Sequence, residues 1–209
     1  EFKNPMTRFN DGKCDRQGRF WSGTMYDPPG PPKNYFGREP IGKLYRVNSK
    51  YECQAVIDDI LVPNGLAWSP NGSVMYFTDS PKRIIWAYEY NIDSGEPGKR
   101  SLFAKIPKGL KRGTCDGATV DSEGYYWCSE FRGSRIVRYS PDGNINRIIK
   151  LPVTRPTSCA FGGKDLSILY VTSAKIMMNK EELKLDFNAG SLLALDVGVC
   201  GLEETYFAS

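Results

Sequence analysis

The chain of 209 residues contains no histidine. That absence excludes Ser-His-Asp and Cys-His nucleophilic catalysis, histidine-ligated zinc and imidazole general-base chemistry. Any reaction must rely on carboxylates, lysines, tyrosines, thiols or a metal held by oxygen. Long apolar runs are also lacking. Stretches such as Ile60-Leu61-Val62 and Leu192-Leu193-Ala194-Leu195 fall far short of the roughly 20 residues that span a bilayer, so no membrane association is expected. No charged segment leading into an apolar one opens the chain at Glu1, so no signal peptide is visible in the sequence, and a cytoplasmic location is expected. The six cysteines (Cys14, Cys53, Cys115, Cys128, Cys159, Cys200) form no C-x-x-C pair and no short-range framework, and they read as buried free thiols. The net charge of +4 is modest. Its one basic concentration, from Lys99 and Arg100 through Lys105, Lys108, Lys111 and Arg112, carries Phe103 as its single aromatic. It reads as a solvated outer strand and loop, and no nucleic-acid partner is expected.

What is present points to an all-β protein. Apolar residues make up 40% and aromatics 12%, with 21 Gly and 14 Pro, a balance suited to many short strands joined by turns. One pattern recurs. Asn10-Asp11-Gly12 precedes Gly18-Arg19-Phe20-Trp21, and Asn64-Gly65-Leu66-Ala67-Trp68 precedes Gly72 and Met75-Tyr76-Phe77. Asp116-Gly117-Ala118 precedes Gly124-Tyr125-Tyr126-Trp127, and a weaker copy pairs Thr157-Ser158-Cys159 with Leu169-Tyr170-Val171. The copies follow one another at about 40 to 50 residues, the spacing of propeller blades. Repeats near 8–58, 63–106, 115–151 and 156–209 then make a single domain, 1–209, of about four four-stranded blades. The last strand is expected at Thr205-Tyr206-Phe207. Prolines in the stretch Asp27 to Arg38 mark a loop inserted within the first blade, and Lys175 to Asn188 suits a helical turn or two between strands.

In a propeller the innermost strands line a central channel, so polar residues leading successive inner strands converge near the axis. Here the leaders are Asn10-Asp11, Asn64, Asp116 and Thr157. These are hard oxygen donors, suited to calcium or magnesium and less so to manganese or zinc. The competing interpretation is that Asn-Gly and Asp-Gly pairs simply make turns. Their recurrence at one register of a repeat favours the ligand ring.

The ordered motifs Arg8-Phe9-Asn10-Asp11-Gly12-Lys13, Gly23-Thr24-Met25, Pro63-Asn64-Gly65-Leu66-Ala67-Trp68-Ser69, Asp116-Gly117-Ala118 and Thr157-Ser158-Cys159-Ala160-Phe161-Gly162-Gly163 resemble the family of senescence marker protein (regucalcin), gluconolactonases and luciferin-regenerating enzyme. The resemblance runs from about Arg8 to the C-terminus. It implies a six-bladed β-propeller with one divalent cation on its axis and hydrolysis of sugar lactones or related esters. By resemblance Asn64 and Asp116 are metal ligands, Asp116 is also the general base, and Arg8 and Asn10 bind substrate. The cation is expected to be calcium, with zinc, manganese or magnesium as alternatives, and the partner a small-molecule lactone or ester. The family's remaining ligand, a glutamate of the first blade, has no counterpart here. The chain is therefore expected to be a fragment lacking about two N-terminal blades. Two other readings stay open: a calcium-binding regulatory protein, and a non-catalytic interaction propeller. Nothing in the sequence fixes an oligomeric state.

Overall fold

A computed structural model describes residues 6–29, 39–109 and 113–208. Residues 30–38 of the expected first-blade insertion, with Pro31 and Pro32, and Lys111 and Arg112 of the basic stretch lie outside these residues. Four antiparallel sheets follow one another along the chain. The first contains β1 (Thr7–Cys14), β2 (Phe20–Tyr26), β3 (Gly42–Val47) and β4 (Cys53–Ile60), and the second β5 (Pro63–Trp68), β6 (Val74–Asp79), β7 (Ile84–Asn91) and β8 (Glu96–Lys105). The third contains β9 (Thr114–Val120), β10 (Tyr126–Phe131), β11 (Arg135–Tyr139) and β12 (Ile145–Lys150). The fourth contains β13 (Pro156–Gly162), β14 (Ile168–Ser173) and β15 (Leu192–Asp196). In every sheet the strands pair in chain order, and the first strands β1, β5, β9 and β13 contact one another in sequence. That is the arrangement of propeller blades around an axis.

Side-chain alternation builds the core. In β14, Leu169 and Val171 are buried while Tyr170 faces out, the period of two that lets each sheet bury one face. Trp21, Leu44, Leu66, Trp68 and Met75 fill the space between the first and second sheets. Tyr76, Ile85, Val120, Tyr126 and Val137 fill the next interval, and Trp127, Ile136, Phe161, Leu169 and Val171 the third. Each of these side chains contributes roughly 1.5–3 kcal/mol on burial.

The turns between the first two strands of the first and third sheets are held by buried aspartates. Asp15 Oδ1 accepts the amides of Gln17 and Arg19, and Asp121 Oδ1 those of Glu123 and Tyr125. Gly18 and Gly124 close these turns at φ +81° and +86°, where a side chain would be strained. The other oxygen of each aspartate is used as well. Asp15 Oδ2 accepts from Tyr90 Oη and Arg19 Nε, and Asp121 Oδ2 from Trp127 Nε1 and Arg138 Nε.

Two expectations are corrected. The fourth sheet has three strands among the described residues, and Thr205–Phe207 is not one of them. The tail instead crosses the molecule. Ser122 donates its amide to the Cys200 carbonyl, Glu204 meets Lys13 Nζ at 2.5 Å and accepts from Thr119 Oγ1 at 3.1 Å, and Ala208 donates to the Gly18 carbonyl. The tail's polar groups are thus satisfied by the first and third sheets rather than by a strand partner. Secondly, the cysteines are not all free. Cys115 on β9 and Cys128 on β10 stand side by side, Cα atoms 5.8 Å apart, and are paired as a disulfide, while Cys14, Cys53, Cys159 and Cys200 are free thiols. The expected helical segment is α1 (Lys180–Leu185), opened by a reciprocal cap in which Asn179 Oδ1 accepts the Glu182 amide and the Glu182 side chain accepts the Asn179 amide.

Candidate metal centre and active site

The Asn-Gly and Asp-Gly pairs that head the repeats do not make hairpin turns. Each lies inside an innermost strand, at a β-bulge. Between Phe9 and Gly12 on β1, Asn64 and Ala67 on β5, Cys115 and Ala118 on β9, and Pro156 and Ser158 on β13, the register gains one residue over the partner strand. A bulge releases a residue from the ladder and re-aims its side chain. Asn10-Asp11, Asn64-Gly65, Asp116-Gly117 and Thr157 are thereby turned out of strict alternation at the same level of four successive strands. Gly65 serves this locally: it sits at φ +64°, and a Cβ there would lie 2.5 Å from the hydroxyl of Tyr126, which donates to the Gly65 carbonyl at 2.9 Å. At Gly117 a Cβ would overlap Ser158 of the next sheet.

Three of the four sequence-predicted residues meet through side-chain contacts, and the fourth joins them through backbone. Arg8 Nη1 donates to Asn10 Oδ1 at 3.3 Å, and Asn10 Nδ2 donates both to the Pro63 carbonyl and to Asn64 Oδ1, each at 2.9 Å. Asn64 Nδ2 donates in turn to Ser80 Oγ at 2.8 Å, and Ser80 Oγ donates to the Cys115 carbonyl at 2.6 Å. The residue after Cys115 is Asp116. At its outer end the line begins at Asp27, whose Oδ2 takes Arg8 Nε at 2.6 Å. A hydrogen-bonded path therefore crosses three sheets. Thr157, the fourth leader, is engaged elsewhere, its hydroxyl 2.7 Å from that of Thr172.

The electrostatics separate the carboxylates. Burial pushes the Asp116 carboxyl well above the ordinary range, and the neighbouring Asp11 charge adds to this, opposed by the Gly117 amide. Asp11 is also raised by burial, although its Oδ2 and Oδ1 accept the amides of Leu66 at 3.2 Å and Gly12 at 2.9 Å. Two carboxyls that disfavour each other's charge, with no ion-pair partner for Asp116 among the described residues, form a place where a cation lowers the energy. Asn64, on the neighbouring strand β5, adds a hard neutral amide oxygen, so the donor types fit an oxygen-liganded divalent ion. No third carboxylate or thiol joins the two among the described residues. Sequence reasoning counted Asp11 among the strand-leading oxygen donors without an individual role, and assigned no part to Ser80. Asp11 was visible as a strand leader, whereas Ser80 lies outside the repeated motif and gave no signal.

Residues 1–175 match the SMP-30/Gluconolactonase/LRE-like region. The chain belongs to this family. Among curated relatives within reach of this family is a 6-deoxy-6-sulfogluconolactonase of Pseudomonas putida, 40% identical over 97% of this chain and 66% of its own length. A regucalcin of Danio rerio is 37% identical over 96% of this chain and 66% of its own. Among solved structures, a calcium-binding protein, regucalcin, of Agrobacterium tumefaciens superposes with a TM-score of 0.87 at 29% identity, covering 97% of this chain and 65% of that one. The chain thus spans about two thirds of the length of these SMP-30/gluconolactonase family members.

Proposed function

We propose that this chain carries the metal-binding and catalytic side of a sugar-lactone or related ester hydrolase. The observation that carries this reading is the hydrogen bond from Asn10 to Asn64 Oδ1, on a strand that packs against the one bearing Asp116. It links a substrate-binding residue to a metal ligand where a hydrolase needs them adjacent. The names of the relatives, gluconolactonase and regucalcin, support the substrate class and the cation. Asn64 and Asp116 would hold one divalent ion, with calcium the expected species. When bound, the ion would supply Lewis-acid polarisation of the lactone carbonyl.

The chain's own residues account for the rest. Asp116 takes the proton of the attacking water on its carboxylate, acting as the general base. The water oxygen bonds to the carbonyl carbon, the ring C–O bond breaks, and the proton passes to the leaving oxygen to give the hydroxy acid. Arg8 and Asn10 orient the sugar hydroxyls, Arg8 being steadied by Asp27.

The test is hydrolysis of glucono-lactones by purified protein, stripped of metal and then supplied with calcium, zinc, manganese or magnesium, beside D116A. Metal-dependent turnover lost in D116A is the expected result. Folded protein inert with every ion would overturn the enzyme reading. Micromolar calcium binding without turnover would then favour the calcium-binding role named for regucalcin.

A further inference from the structure

We propose that Ser80 is a positioning residue that fixes which atom of the Asn64 amide faces the axis, and that it couples this ligand to the backbone carrying Asp116. The inference rests on the reading that Asn64 and Asp116 hold a cation. An asparagine side chain ends in two atoms of opposite chemistry: an oxygen that can hold a metal ion and an NH2 group that cannot. Something must choose between them.

Ser80 does so by its own bonding. It is buried, at the start of the short 3-10 turn Ser80–Lys82 that follows β6. Its hydroxyl lies 2.6 Å from the Cys115 carbonyl oxygen, which can only accept, so the hydroxyl proton is committed there. What remains toward Asn64, at 2.8 Å, is a lone pair. The Asn64 atom facing Ser80 must then be the NH2 group. A flipped amide would set two acceptors against each other in a buried site, losing a hydrogen bond that burial makes costly to leave unmade. Asn10 enforces the same choice from the other side, since its NH2 requires an acceptor at Asn64 Oδ1.

The serine is itself fixed. Its amide donates to the Val62 carbonyl at 3.0 Å and its carbonyl accepts the Arg83 amide at 3.1 Å. The Asp79 carboxylate beside it takes the amides of Leu61 and Val62. Because Cys115 directly precedes Asp116, one hydroxyl joins the ligand of the second sheet to the strand that presents the ligand of the third.

The experiment is calorimetric titration of manganese ion into the metal-free full chain, for the wild type, S80A, N64A, D116A and the double variant N64A/S80A. Loss of an outer hydrogen-bond partner of a metal ligand typically weakens binding by about 10- to 100-fold, which is the expectation for S80A. In the N64A background S80A should cost no more than about twofold, because its effect runs through the Asn64 amide. Should S80A melt below the assay temperature, S80C carries the same test with the same expectation, its thiol being a weak hydrogen-bond former. If S80A binds manganese like the wild type while D116A and N64A lose it, the positioning role is overturned and the site reading stands. If the losses in N64A and S80A simply add, Ser80 acts through the fold and the inference again fails. No binding by the wild type, or full binding by D116A and N64A, would remove the site reading and this inference together.

Discussion

The side-chain amide of Asn10 and the amide oxygen of Asn64 are 2.9 Å apart, a contact that spans two sheets and 54 residues of sequence. The oxygen proposed to hold the cation is the one that Asn10 steadies. Replacing Asn10 by alanine removes one hydrogen bond to that oxygen and one to the Pro63 carbonyl.

A loss of about 1–2 kcal/mol of transition-state stabilisation follows for N10A, or roughly a tenfold fall in kcat/KM on a lactone. Steady-state kinetics with saturating metal check this. N10A kinetics equal to those of the wild type would separate Asn10 from substrate handling.

The raised carboxyl of Asp116 has a consequence for stability with a definite sign. Its folded-state value lies well above that of an aspartate in the unfolded chain, so the folded chain binds more protons than the unfolded chain between the two values. Metal-free stability therefore falls as pH rises through that window, and the deficit is complete above the folded value. D116N removes the deficit. In EDTA at neutral pH it is expected to be more stable by about 1 kcal/mol, melting about 2–4 °C above the wild type, with the difference shrinking toward pH 4. Added metal should reverse the order, since only the wild type gains binding energy. Thermal melts across pH 4–8 decide it. A D116N variant that melts lower than the wild type at pH 7 without metal would contradict the assignment of Asp116 as a destabilising, function-bearing group.

Asp121 is the opposite kind of aspartate. It is buried beside Arg138, with Nη2 at 2.7 Å from Oδ2, and it also accepts the Trp127 indole N–H. D121A leaves the buried Arg138 guanidinium with Glu123 at 2.5 Å as its one remaining carboxylate, and leaves the Trp127 indole N–H and the Glu123 and Tyr125 amides without their acceptor. With several buried donors left unsatisfied the expected cost is roughly 3–5 kcal/mol, on the order of 10 °C in melting temperature. D142A, at an exposed turn held by local contacts to Ser140 and Asn144, should melt close to the wild type. Similar melting of the two variants would show that the Asp121 turn is not a structural anchor.

The repeat made much of this legible. Asn64 and Asp116 stood out because hydrogen-bonding residues followed by glycine recurred at one register, and four sheets followed from the aromatic second strands. The bulges were not legible: an Asn-Gly pair reads the same whether it closes a hairpin or interrupts a strand, and pairing with the neighbouring strand alone decides. Ser80 escaped notice because its partners, Asn64 and the Cys115 carbonyl, are distant in sequence and one of them is backbone. The Cys115–Cys128 pairing arises across the bulged β9–β10 hairpin, which spacing does not reveal. Tyr206 and Phe207 suggested a strand by composition, yet Phe207 rests against the Tyr51 ring of the first sheet.

The course of the tail changes how the repeats depend on one another. In a linear array each unit leans only on its neighbours and can fray from either end. Here the segment after the fourth sheet is stitched to the third at Ser122 and Thr119, and then to the first at Lys13 and Gly18. The first, third and fourth sheets are thereby wired into one circuit. The last blade cannot peel away without slackening the first, so the strand that bears Asn10 and Asp11 is kept in place by residues nearly two hundred positions downstream.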